Sequence, residues 1–140
     1  MEEIKQAEFV SCTTDFWSSI ANDSYIGVTV HFLSEDFVLK HRLLCLRKYS
    51  EDKTGENIRS AFHSILIEWH LQDKIVPVVT DAASNCVSAF SKTNIDHVLC
   101  NAHNLHNSVI HALKIEAVEG LMKRARGIVG HFKHSPKQEN

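Results

Sequence analysis

The amino-acid sequence predicts an α/β protein with a mixed five-stranded sheet and helices packed on its faces. Five short β-prone apolar runs and three helical patterns follow one another in the order βββαβαβα. Strands that alternate with helices after an initial strand pair are typical of such a layered sheet. The 140 residues, 44% of them hydrophobic and 23% charged, have the size and composition of one globular domain.

The first half of the chain contains three predicted strands and the clearest predicted helix. The strands cover residues 9–14, 25–33 and 37–46. Polar residues between the second and third strands predict a hairpin. Thr54 is a candidate helix cap, and apolar residues recur at helical spacing after it, so residues 55–70 are predicted to form one amphipathic helix.

The second half contains the remaining strands and helices. Residues 75–79 form a short apolar run that predicts a buried strand, although Pro77 removes one ladder donor and is typical of an edge strand. A short helix is predicted over 82–91 and a strand over 95–100. Asn101 is a candidate cap for the helix that follows.

The domain organisation follows from where the apolar patterns begin and end. Residues 1–8 are expected to be a flexible N-terminal segment, and 9–134 a single domain. Residues 135–140 have no apolar side chain and are expected to be a disordered tail. No apolar run approaches the length of a membrane span, and four widely spaced cysteines suit reduced core residues, so we expect a soluble intracellular protein without membrane contact.

Two aspartates are the leading candidate site residues. Asp15 and Asp81 each end an apolar run and are followed by small polar residues. Carboxylates at the carboxyl ends of neighbouring strands can bind a divalent cation, which phosphoryl-transfer chemistry uses. Each aspartate can instead brace a turn or cap a helix, and spacing alone favours these local roles.

Five segments together resemble hAT-superfamily transposases and the BED-finger (ZBED) proteins domesticated from them. The resemblance extends from about residue 9 to 135 and depends on the order and spacing of these segments. They are Thr14-Asp15-Phe16-Trp17-Ser18, Tyr25-Ile26-Gly27-Val28-Thr29, Thr54-Gly55-Glu56-Asn57-Ile58, Thr80-Asp81-Ala82-Ala83-Ser84-Asn85 and Cys100-Asn101-Ala102-His103-Asn104-Leu105.

The resemblance implies an RNase H-like core in which three acidic residues surround two divalent cations. Asp15 matches the first acidic position and Asp81 the second, which makes them a vestigial pair of catalytic, metal-binding carboxylates. The third position in active relatives is a glutamate far downstream, so we expect a core truncated before the final family elements. Ala82 also stands where the family commonly has asparagine.

These departures predict that the module is catalytically inactive, and the resemblance implies that it is nuclear and associates with DNA or with other transposase-derived proteins, as a homo- or hetero-oligomer. We expect weak binding of Mg²⁺ or Mn²⁺ by the two aspartates. The alternative is a magnesium-dependent transposase or nuclease core in which Glu116, Glu119 or another chain supplies the third carboxylate.

Two further groups of residues are candidates. Cys100 and His103 resemble a Cys/His pair that the family has near its active site. They are half of a zinc site, and zinc is not expected because no second pair with comparable spacing follows. The closing helix carries the candidate nucleic-acid contacts Lys123, Arg124, Arg126 and Lys133, for which a solvated polar face is the alternative. With a formal net charge of −2, any DNA binding must be local.

Overall fold

The computed structural model describes residues 2–134. The chain divides into two compact units, one ending at Asn101 and the other beginning at Ala102. The elements are, in order, α1 (Glu2–Gln6), β1 (Val10–Ser18), β2 (Ser24–Leu33), β3 (Leu39–Lys48), α2 (Gly55–Glu68), β4 (Ile75–Thr80), α3 (Ser84–Phe90), β5 (Asp96–Leu99), α4 (Asn101–Leu113) and α5 (Glu116–His134).

The first unit is built on a mixed five-stranded sheet with the strand order β3-β2-β1-β4-β5. The strand β2 is antiparallel to both β1 and β3, whereas β4 is parallel to β1 and β5 is parallel to β4. The predicted fold class and element order are confirmed, with α1 preceding the predicted series and α5 following it.

The core of this unit lies on one face of the sheet, against α2 and α3. Burial alternates along the central strands, so every second side chain of β2 from Ile26 to Phe32 is buried. This alternation arises because successive strand residues point to opposite faces. The helices contribute their apolar stripes to the same cluster, which contains Ile58, Phe62, Ile65 and Leu66 from α2 and Cys86, Ala89 and Phe90 from α3.

The first strand is longer than the sequence predicted. The prediction ended it at Thr14, whereas β1 continues to Ser18. Its pairing with β4 ends at Thr13, but its pairing with β2 continues as far as Ser18 opposite Ser24. Asp15 therefore lies beyond the part of β1 that pairs with β4, but within the part that pairs with β2. The hydrophobic pattern of β1 alone does not reveal this difference.

The strand predicted over residues 75–79 is confirmed as β4, which lies inside the sheet despite its proline. Between the pairs Val10–Ile75 and Cys12–Val78, β4 has one residue more than β1, which is a bulge. Pro77 lies in this irregular stretch and pairs with Asp96 on its other side. A bulge is one of the few sheet positions that tolerate a missing backbone donor.

The expectation of a flexible segment over residues 1–8 is also wrong for its described part. Residues Glu2–Gln6 form α1, and Ile4 is buried in the core. The Lys74 ammonium donates hydrogen bonds to the carbonyl oxygens of Lys5 and Ala7, at 2.6 and 2.8 Å. The buried Ile4 and the hydrogen bonds from Lys74 hold this helix in place. The sequence of the segment does not reveal these contacts because Lys74 is distant in the chain. The predicted tail over 135–140 lies outside the described residues.

The helix α2 confirms the amphipathic pattern and its cap. The Thr54 hydroxyl accepts a hydrogen bond from the Asn57 backbone N–H at 3.2 Å, as an N-cap residue does. The Asn57 side-chain amide also donates to the Asp52 carbonyl oxygen at 3.0 Å. These contacts give Thr54 and Asn57 a structural role at the start of α2.

The second unit consists of α4 followed by α5, with a short break at Lys114 and Ile115. Asn101, predicted to cap α4, is the first residue of that helix. No helix in residues 2–134 is long and apolar enough to span a membrane.

Candidate functional site

Asp15 lies in β1, and Asp81 directly follows β4, the strand that is parallel to β1. The last paired residues of β1 and β4 are Thr13 and Val79, and each aspartate lies two residues farther along its own chain segment. Side chains two residues apart in an extended strand share a face, and adjacent strands are roughly 4.8 Å apart. This register places Asp15 and Asp81 at the same end of the sheet, which is called the carboxylate corner below.

Both carboxylates also make the local contacts that the alternative interpretation expected. An Asp15 carboxylate oxygen accepts a hydrogen bond from the Phe16 backbone N–H at 2.9 Å. An Asp81 carboxylate oxygen accepts one from the Ala83 backbone N–H at 3.1 Å. The helix cap is different from the predicted one, because α3 begins at Ser84 and has Ala83 as its N-cap residue. An ionised carboxylate has about four acceptor positions, so these contacts leave lone pairs for a cation.

The Cys86 thiol lies close to Asp81, a placement that the sequence analysis did not predict. It had assigned Cys86 only to the core, and the residue is indeed buried. Burial raises the pKa of the thiol to about 12, and a hydrogen bond with Asp81 and the charges of Asp81 and Asp15 act in the same direction. Cys86 therefore remains a neutral thiol beside the acidic corner at neutral pH.

Three polar contacts fix the end of β4. The buried Thr80 hydroxyl donates a hydrogen bond to the Asp81 carbonyl oxygen at 2.8 Å and lies 2.8 Å from His97 Nε2. The Cys100 backbone N–H donates to the Thr80 carbonyl oxygen at 2.7 Å. These three contacts hold the backbone that carries the Asp81 carboxylate.

Protonation of His97 is expected to make folding stability pH-dependent. Burial lowers the pKa of His97 below its ordinary value of 6.5. As the pH falls below about 6.5, the unfolded chain therefore takes up a proton before the folded chain does, which favours unfolding. The free energy of unfolding should fall between pH 7 and pH 5, and less steeply in His97→Gln.

Urea unfolding followed by tryptophan fluorescence at pH 7, 6 and 5 measures this slope. The matched control is His63→Gln, a substitution at an exposed position of α2. The neutral His31 contributes in the same direction, since burial lowers its pKa too. Equal slopes for the parent chain and His97→Gln would contradict the assignment to His97.

A family model described as the ZBED1 RNase-like domain matches residues 13–114 of this chain. The chain belongs to the ZBED RNase-like domain family. The match begins two residues before Asp15 and ends one residue after α4, so it contains both aspartates, Cys100 and His103. The hAT and ZBED resemblance deduced from the five segments is thereby confirmed.

Curated relatives of this ZBED RNase-like domain include transposases and a zinc finger protein. A Zea mays protein whose name describes it as an AC transposase is 26% identical over 142 residues, which cover 91% of this chain and 18% of that protein. The Homo sapiens zinc finger BED domain-containing protein 6 is 29% identical over 148 residues, covering 94% of this chain and 15% of that protein. The chain thus spans less than a fifth of the length of these relatives.

In this ZBED RNase-like domain Trp17, two residues after Asp15, is a surface residue. The indole is 39% exposed and stacks on the Tyr25 ring, with centroids 5.8 Å apart and an interplanar angle of 17°. It also covers Gly27, where an added Cβ would lie 3.1 Å from the indole. Alternation explains this exposure, because Trp17 shares the face of Asp15 rather than that of the buried Thr14.

The candidate pair Cys100 and His103 falls across the division of the chain. Cys100 lies in the first unit, where its backbone N–H donates to the Thr80 carbonyl oxygen, and His103 belongs to α4 in the second unit. Within that helix the His103 and His106 rings have centroids 6.3 Å apart. Across residues 2–134 the His, Cys, Asp and Glu side chains form no group of three that could hold a metal ion. A role for His103 near the site stays a prediction.

The candidate nucleic-acid contacts lie on α5, beyond the end of the family match. Lys123, Arg124, Arg126 and Lys133 are exposed along this helix. Its first turn contains Glu116 and Glu119, the two candidate third carboxylates. Charges of opposite sign therefore occupy different parts of the helix, with acidic residues at its beginning and basic residues farther along.

Proposed function

We propose that this chain is a transposase-derived binding module that associates in the nucleus with DNA or with other transposase-derived proteins, and that by itself does not cut or join DNA. The observation that carries the proposal is the number of carboxylates at the Asp15 and Asp81 corner. In residues 2–134 the two aspartates have no third His, Cys, Asp or Glu partner that would complete a metal-binding group. In-line phosphoryl transfer uses two cations about 4 Å apart, and two carboxylates fix that spacing poorly.

The same corner is proposed to bind Mg²⁺ or Mn²⁺ weakly. The residues that would hold the ion are Asp15, which is exposed, and Asp81, which is half-buried. Mg²⁺ is commonly bound by one or two carboxylates and keeps several waters, so a two-carboxylate corner retains some affinity. A bound cation would neutralise the two negative charges and supply a contact for a phosphate oxygen.

Metal titration tests this site. We expect Mn²⁺ to bind with a Kd on the order of 1 mM or weaker, measured by electron paramagnetic resonance of the free ion. Asp81→Asn should weaken this binding at least severalfold, because it removes one of two charged ligands. Asp73→Asn changes an exposed aspartate outside the corner and is the matched control. Equal Mn²⁺ affinity in the parent chain and Asp81→Asn would refute the site.

DNA association is proposed to depend on the basic residues of α5. Their cluster supplies local positive charge on a chain whose formal net charge is −2. Replacing Lys123, Arg124, Arg126 and Lys133 by glutamine should abolish a gel shift at low salt, and binding by the parent chain should weaken as salt rises. Replacing Lys40 and Arg42 instead is the control, since both cations pair with Glu3. A parent chain that neither shifts DNA nor self-associates in size-exclusion chromatography would overturn the proposal.

The retained register of Asp15 and Asp81 favours a second candidate function, a magnesium-dependent phosphoryl-transfer core. In that case Glu116, Glu119 or another chain supplies the third carboxylate. Cleavage or strand joining of DNA with Mn²⁺, lost in Asp81→Ala, would establish this function. Loss in Glu116→Gln or Glu119→Gln would then assign the third ligand to this chain, and activity unaffected by both substitutions would assign it elsewhere.

A further inference from the structure

A cleft of about 420 Å³ lies between α2 and the segment that joins α3 to β5. Its floor is apolar and consists of the core residues Phe62, Leu66 and Phe90, which are only 1–2% exposed, and the half-buried Ile95. Ile95 immediately precedes β5, and β5 runs parallel to β4, so the cleft lies at the amino ends of these strands. Asp81 follows the carboxyl end of β4, which places the carboxylate corner at the opposite end of the sheet.

The cleft carries a positive charge that its own residues do not neutralise. Arg59 on α2 is half-buried at its wall, with His63 one turn farther along the same helix. No residue that lines the cleft is acidic. None of the ion pairs in the described part of the chain includes Arg59. A half-buried guanidinium without a carboxylate partner is poised to bind an anionic group of a ligand.

We propose that this cleft binds an acidic peptide segment of a partner protein, with one large apolar side chain seated on the floor and a neighbouring carboxylate on Arg59. The floor and the arginine lie side by side in one cleft, which matches an apolar residue next to Asp or Glu. Aromatic side chains and arginine are among the residue types that contribute most to protein interfaces. The volume is near the lower end for ligand pockets, enough for one anchor side chain and its neighbours.

The polar rim favours a peptide over other anions. The exposed Gln72 and Asn94 stand at the edge of the cleft, and side-chain amides both donate and accept hydrogen bonds, as a peptide backbone requires. The hydrocarbon chain of a fatty acid could not form hydrogen bonds with these side-chain amides. DNA would find only one arginine above an apolar floor, whereas phosphate backbones are bound by several cations.

This inference rests on the protein-interaction part of the proposed function and specifies the chemistry of the partner. Its failure is distinguishable from failure of that function, because the cleft and the carboxylate corner lie at opposite ends of the sheet. Peptide binding needs neither metal nor DNA, and it can be measured on the same preparation as Mn²⁺ binding and the DNA gel shift.

The test uses the full 140-residue chain and a panel of acetylated eight-residue peptides. Each peptide has a central leucine or phenylalanine flanked by glutamates, and matched peptides replace the glutamates by lysine or the central residue by serine. Fluorescence anisotropy and nitrogen-15 NMR titration are the measurements. We expect the acidic peptides with an apolar centre to bind with a Kd of roughly 10–100 μM, equivalent to about 5–7 kcal/mol. The perturbed amide signals should belong to α2, α3 and residues 91–95.

Two cleft variants and one control make the assignment specific. Arg59→Gln should weaken peptide binding roughly tenfold, since hydrogen bonds to charged groups contribute more than neutral ones. Asn94→Glu adds a negative charge at the rim and should also weaken it. Arg47→Gln, at an exposed arginine of β3 that pairs with Glu68, should leave the affinity unchanged. Unchanged melting temperatures would show that the variants remain folded.

Several outcomes would overturn the proposal. They are the absence of binding below 1 mM by every acidic peptide, equal affinity for the lysine or serine peptides, equal affinity for decanoate, and NMR perturbations outside the cleft. An unchanged affinity in both Arg59→Gln and Asn94→Glu would also reject it.

Discussion

Replacing Phe62 by alanine is expected to lower the free energy of unfolding by about 3–5 kcal/mol, the usual cost of truncating a buried aromatic residue. Phe62 is 2% exposed, and its ring meets that of Phe90 edge-on, with centroids 5.3 Å apart and an interplanar angle of 87°. This pair joins α2 to α3. Its removal leaves a cavity where the two helices contact the sheet.

A loss of this size is a large part of the total stability of a small domain, which is typically about 5–15 kcal/mol. Chemical denaturation followed by circular dichroism measures it. The matched control is Phe9→Ala, because Phe9 is 61% exposed and its truncation should cost less than about 1 kcal/mol. A Phe62→Ala chain within 1 kcal/mol of the parent would show that α2 and α3 do not form the core contact described above.

Substitution of Gly55 by alanine is expected to destabilise the fold by about 1–3 kcal/mol through overpacking. Gly55 is the first residue of α2 and lies against α3. A Cβ there would lie 2.8 Å from the Ser88 hydroxyl oxygen and 3.1 Å from the Ala89 backbone nitrogen. The backbone atom cannot rotate away, so the two helices must separate. Equilibrium urea unfolding gives the change in free energy.

The control for Gly55 is a glycine that has room for a side chain. Apart from its chain neighbours and the backbone of its own helix α5, no heavy atom of the described residues lies within 4 Å of a Cβ added at Gly120. Gly120→Ala should therefore hold or raise stability, since alanine is favoured over glycine in helices by about 1 kcal/mol. The double variant Gly55→Ala with Ser88→Gly should recover part of the loss, because it removes the nearest contact. A stabilised Gly55→Ala chain would contradict the close helix approach.

The carboxylate corner shows how far the sequence predicted the candidate site. Asp15 and Asp81 were recognisable as candidates because each ends a β-prone run and stands in a segment that resembles the family. The neighbours that shape the corner were not recognisable. Cys86 looks like any buried cysteine of a helix, and His97 like any half-buried residue of a short strand. Only the pairing of β4 with β5 brings His97 to the Thr80 hydroxyl, and only the packing of α3 brings the Cys86 thiol to Asp81.

The surroundings of Arg59 in the cleft could not be predicted from the sequence either. Along α2, Arg59 occupies an ordinary polar position between the apolar residues Ile58 and Phe62. Its half-buried charge depends on the segment after α3, which is more than 30 residues away in the chain. No spacing rule connects two segments so far apart.

The sequence by itself determined the fold class, the order of strands and helices, the capped helix α2 and the family. These properties follow from local periodicity and from motifs in register, which burial on one face imprints on neighbouring residues. The tertiary structure decided the length of β1, the interior position of β4 at Pro77, the packing of α1 and the surroundings of both candidate sites. Those features depend on which strands pair with each other and on which distant segments pack against them. Such long-range contacts produce no periodic pattern in the sequence.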